Sequence, residues 1–67
     1  MIAIGDRVLY AFPSAPTIPR VAIVTETSAE NADLPDGVVS LCVFNPTDVT
    51  HVCRVPHSDT LQPGCWT

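Results

Sequence analysis

Three cysteines and two histidines are the residues of this chain best suited to covalent or metal chemistry. Cys42, His51 and Cys53 fall close together, and His57 and Cys65 lie downstream. A cysteine nucleophile needs a base that favours the thiolate and a third group that orients that base. His51 could be the base. The sequence offers no group placed to orient it, and no glycine-rich loop for an oxyanion. A structural zinc wants four ligands, usually supplied as CxxC or HxxxH pairs. His51-x-Cys53 leaves one residue between ligands and puts both side chains on one face of a strand. Packing, buried or at a subunit contact, is therefore the expected role of these residues. A metal site and a nucleophile are the alternatives. No catalytic residue, metal ligand or cofactor is assigned, and the chain is expected not to be an enzyme.

The cations are equally sparse. Arg7, Arg20 and Arg54 are the whole basic complement, against seven carboxylates and a net charge of −4. Each arginine could grip a phosphate or carboxylate through two parallel hydrogen bonds, so the three stand as candidate anion contacts. The plain alternative is pairing with a nearby surface acid. Nucleic-acid binders carry a basic stripe, because neutralising phosphates supplies most of their affinity. Three scattered arginines argue against DNA or RNA as a partner. The absence of lysine rules out a covalent lysine mechanism.

Sixty-seven residues make one domain, residues 1–67. A chain this short buries only about 60% of the surface its unfolded form exposes. Small domains commonly supplement such a core with disulfides, metals or oligomerisation. Here 46% of residues are hydrophobic and 15% charged, whereas a soluble surface is roughly a quarter to a third charged. Part of the surface is therefore expected to lie under another subunit. The odd cysteine count does not fit a secreted disulfide scaffold. The opening residues lack the charged region and apolar run of a signal peptide. No stretch approaches the ~20 apolar residues of a membrane span. A reducing cytoplasm and no membrane contact are expected.

The elements that position these side chains read as strands. Seven prolines punctuate the chain, and proline is poorly tolerated inside a helix. Short Val/Ile-rich runs lie between turn residues. Residues 5–12 (GDRVLYAF), 20–26 (RVAIVTE), 38–44 (VVSLCVF) and 49–55 (VTHVCRV) are the four main candidates. Cys65-Trp66-Thr67 could add a short last strand. Trp66 would then plug one end of the domain or anchor an interface. Residues 13–19 read as an extended connector close to polyproline II, with a proline-rich ligand as the alternative. Residues 27–37 read as a polar loop ending in the turn signal Pro-Asp-Gly. Glu30, Asp33 and Asp36 do not match the spacing of a calcium loop. Residues 56–62 read as irregular or as a single short turn. The expected fold is all-β, a small SH3-like barrel of about five short antiparallel strands.

Asn45-Pro46-Thr47-Asp48 suits a type I turn. The resulting hairpin would pair Phe44 with Val49, Cys42 with His51, and Ser40 with Cys53. Alternation then puts Val39, Leu41, Val43, Thr50, Val52 and Arg54 on one face, the better core. Val38, Ser40, Cys42, Phe44, Val49, His51, Cys53 and Val55 fall on the other. Ser40, Cys42, Phe44, His51 and Cys53 on that face, together with Trp66, are the candidate interface residues.

The order of segments resembles a family of small bacteriophage and prophage proteins. The resemblance rests on Gly5-Asp6-Arg7-Val8, the segment from Arg20 to Glu26, and Leu41-Cys42-Val43-Phe44-Asn45-Pro46-Thr47. Val55-Pro56-His57-Ser58-Asp59 and Pro63-Gly64-Cys65-Trp66 complete it. It covers most of the chain, through a Leu-x-Val-x-Asn-Pro-Thr hairpin and a Pro-Gly-x-Trp ending. Cys65 stands where the family pattern has Thr, and the family ending runs a few residues further. The resemblance implies phage origin and no particular catalysis. The function expected first is a virion or assembly accessory, capsid-decorating or head–tail associated. It would act by contact with itself or with a phage or host protein, in the host bacterial cytoplasm or the virion. The alternative is a counter-defence protein that sequesters a host signalling nucleotide or blocks a host protein.

Overall fold

The computed structural model describes residues 2–67. Four strands form one open antiparallel sheet in the order β1-β2-β3-β4. They are β1 (Arg7–Tyr10), β2 (Arg20–Glu26), β3 (Val39–Phe44) and β4 (Val49–Val55). No helix is present among the described residues. β2 and β4 coincide with the segments expected from the sequence. β1 is shorter than expected: Gly5 takes a φ of 92°, which ends regular strand geometry there. Its amide still reaches Val24 O at 2.8 Å.

The two-residue repeat of a strand sorts the side chains onto two faces. On the inner face, one cross-strand row runs Val8, Ala22, Val43, Thr50, and the next contains Val24, Leu41 and Val52. Val8, Tyr10, Ala22, Val24, Val39, Leu41, Val43 and Val55 form a single buried cluster. Ile2, Phe12, Val52 and Trp66 pack around it. Val8 of β1 and Val55 of β4 belong to the same cluster, so the sheet curls towards its inner face. Each fully buried Val or Leu contributes about 1.5–3 kcal/mol relative to exposure. Tyr10 and Phe12 meet edge-on, with ring centroids 5.0 Å apart.

Two expectations are corrected by a bulge. The expected pairing of Ser40 with Cys53 does not form. The β3–β4 register shifts between Val39 and Leu41, and Val39 pairs with Val55. Arg54 takes a φ of 55°, the left-handed conformation that accommodates an extra residue in one strand. That residue reverses the alternation. Arg54, expected on the core face, is exposed, and Val55, expected on the outer face, is buried.

The expected last strand is also corrected. Residues 65–67 form no regular strand; Trp66 makes isolated bridges to Tyr10 and His57. Thr67 and Leu9 exchange reciprocal backbone hydrogen bonds of 2.9 Å. Trp66 N donates to Pro56 O, and Ser58 N donates to Trp66 O, both at 2.9 Å. The tail thus bonds to the outer edge of β1 and to the segment that follows β4.

The loop after β2 is more ordered than its polarity suggests. Thr27 is buried, and its backbone N–H and hydroxyl both donate to Glu30 Oε1, at 2.9 and 2.7 Å. Thr27 Oγ1 accepts from Ala29 N at 3.1 Å. The return bond from Thr27 N to Glu30 is the glutamate half of a capping box, here on one isolated turn. Leu34 is buried further along. Val38 N then donates to Pro35 O, with Gly37 at a φ of 81°, as a type II turn requires.

Candidate functional site

Two surfaces could carry function. The first is the outer face of the sheet. Leu9 pairs with Val21, and Phe44 with Val49. Ala22 pairs with Val43, so one step along the ladder sets Val21 beside Phe44. Leu9, Val21, Phe44 and Val49 form an apolar row across all four strands, each between 39% and 50% exposed. The neighbouring row reads Arg7, Ile23, Cys42, His51. Neither row contains a carboxylate. The acids lie in loops, turns and strand ends.

The expected neighbours Cys42 and His51 are register partners, with Cys42 half-buried and His51 exposed. Cys53 is exposed on the same strand, and all three cysteines are free thiols. Phe44 is exposed as expected. Ser40 is not on the open face: it is buried, and its Oγ donates to Glu26 Oε1 at 3.2 Å. Among the described residues, no group of three or more His, Cys, Asp or Glu side chains is placed to hold a metal ion. No described helix is long and apolar enough to cross a membrane.

The arginines do not meet. Arg7 and Arg54 lie on the two outside strands, with β2 and β3 between them, and Arg20 begins β2 opposite Tyr10. Burial pushes the Tyr10 phenol above its ordinary value, and Cys65 adds to this electrostatically.

The second surface is a cavity of about 370 Å³ at the end of the sheet where β3 begins. Trp66 forms one wall. Its Nε1–H donates to Gly37 O at 2.8 Å, which fixes the indole against the Pro-Asp-Gly turn. His57 leans on it, with ring centroids 4.4 Å apart and planes 51° apart. Ile2, Val38 and Ala29 add apolar surface, and Asp36 and Ser28 add polar edges. Ser28 Oγ donates to Asp36 Oδ1 at 3.4 Å. Trp66 is the one candidate interface residue placed here.

Sequence reasoning did not find this cavity. Its walls come from separate stretches of chain, and only the tertiary fold unites them. The signals present were local: the Thr-x-x-Glu capping box, the Pro-Asp-Gly turn, and the lone tryptophan after Pro63-Gly64. Comparison with protein-family models, curated proteins and solved structures finds no match for this chain.

Proposed function

We propose that this chain is a non-enzymatic phage assembly accessory that works by protein–protein contact through the outer face of its sheet. The observation that carries the reading is the row Leu9, Val21, Phe44, Val49, exposed across every strand, with no carboxylate in it or in the neighbouring row. Contiguous apolar surface of this kind marks interaction sites. Interface cores are depleted in charge and enriched in aromatic residues. A second copy of the chain covers the row, and the assembled form docks on the particle. The phage setting rests on the segment resemblance described above.

The same reading takes the domain as an SH3-like barrel in which the tail, though no regular strand, lies along β1 where a fifth strand would. What supports it is the pair of bonds between Thr67 and Leu9 and the contact of Trp66 with both Tyr10 and His57. The tail also covers the backbone edge of β1 at Leu9, which would otherwise invite strand addition. That favours face-on contact over edge pairing at β1. The nucleotide-sequestering alternative gains no support from the arginines, which lie apart within one chain.

The test is mass spectrometry on particles purified from an infected culture, beside Phe44→Asp phage. The reading expects the wild-type chain in the particle and loss of the variant from it. Wild-type protein abundant in the lysate but missing from purified particles overturns it.

A further inference from the structure

We propose that the cavity beside Trp66 is a binding site for an organic cation, an alkylated ammonium or a guanidinium group, free or carried on a basic side chain. Its volume of about 370 Å³ lies within the range of small-molecule sites, roughly 300–1,000 Å³. The wall is aromatic, apolar and held in place. Trp66 is fixed by its bond to Gly37 O, and His57 packs against it. Tryptophan is the aromatic side chain most attractive to cations, through the negative face of its ring.

Charge completes the argument. Asp36 stands in the lining, with Ser28 Oγ as its hydrogen-bond donor. None of the arginines is among the lining residues, and His57 is the one basic side chain described there. The protein as a whole carries −4, which draws cations and repels anions. A buried aliphatic stem would lie along Ile2, Val38 and Ala29, with the charged head between Trp66 and Asp36. A basic side chain has this two-part character, an apolar stem ending in a charge.

The site is independent of the proposed contact face. Val39, in the cavity lining, and Phe44, in the apolar row, are the two ends of β3. At about 3.3 Å per residue they are some 16 Å apart.

Trp66 is the sole tryptophan, so the protein's tryptophan fluorescence comes from the wall of this site. The experiment titrates the full chain with n-butylguanidinium, with its neutral analogue n-butylurea, and with an arginine-containing tripeptide amide. The expected result is a saturable change with the guanidinium, about tenfold weaker binding of the urea, and about tenfold weaker guanidinium binding by Asp36→Asn. Tighter binding of the tripeptide than of n-butylguanidinium would identify a partner's side chain as the source; the reverse order would identify a small molecule. Asp36→Ser supplies the same comparison if the asparagine variant loses its strand spectrum. Equal binding of the urea and the guanidinium, undiminished binding by the Asp36 variant, or no saturable change with any probe overturns the proposal.

Discussion

Replacing Arg54 tests the bulge that decides which side chains form the core. Arg54 has a φ of 55°, and a left-handed conformation costs an L-residue about 1–2 kcal/mol. Arg54→Gly removes that cost. Glycine's greater freedom in the unfolded chain takes back about 0.5–1 kcal/mol. The net expectation is stability unchanged or raised by up to ~1.5 kcal/mol. Arg54→Val should act in the opposite sense, because a β-branched residue at positive φ is a genuine outlier. Its expected loss is about 1–2 kcal/mol, within the range for strained backbone. A regular strand predicts the reverse order, since exposed strand positions favour valine and penalise glycine. The assay is urea unfolding followed by circular dichroism. Using the Phe44→Asp background keeps self-association out of the measurement. With a slope near 1 kcal/mol per molar, as for a small domain, the glycine and valine variants should differ by about 2 M in midpoint. A valine variant more stable than the glycine variant would refute the bulge and, with it, the burial of Val55.

Other predictions follow from single contacts. Trp66→Phe keeps an aromatic ring, though a smaller one, and loses the bond to Gly37 O; it should lower stability by at least about 1–2 kcal/mol in the same assay, and an unchanged midpoint would mean the bond contributes nothing. Glu30→Ala removes the acceptor of both Thr27 donors and should cost about 1 kcal/mol, with Glu30→Gln recovering part of it. Tyr10 is the sole tyrosine, and its raised pKa means that the unfolded chain ionises first as pH rises. Stability should hold below the unfolded value near pH 10 and fall as pH climbs through the folded value. Ultraviolet titration of the phenol checks the direction, and Tyr10→Phe should remove the part of the alkaline loss due to this group.

Much of the fold was legible because the strands announce themselves. Residues 20–26 and 49–55 are runs of Val, Ile and Thr beside turn residues, and they form β2 and β4 with those bounds. The hairpin register from Phe44 to Cys42 followed from the turn, since a turn of known length fixes which residues face each other. Beyond that point alternation misled. An extra residue in a strand leaves no mark in a Val/Arg/Cys sequence, so strict alternation puts Arg54 and Val55 on each other's faces. The tail was half legible. Trp66 does close one end of the core, but its bonding to two separate segments is a tertiary fact. The outer apolar row was foreshadowed by Phe44, while Leu9 and Val21 needed the β1–β2 register to join it. The cavity was invisible because side chains from Ile2 to Trp66 share no local pattern.

The central claim is that the outer face of the sheet lies against another copy of the chain. Light scattering on the purified protein, beside Phe44→Asp, tests it most directly. The account predicts a wild-type mass of two or more times 7.2 kDa and a monomeric variant that keeps its strand spectrum. A wild-type chain that stays monomeric at high concentration, or a variant with the same oligomeric mass as the wild type, would contradict it.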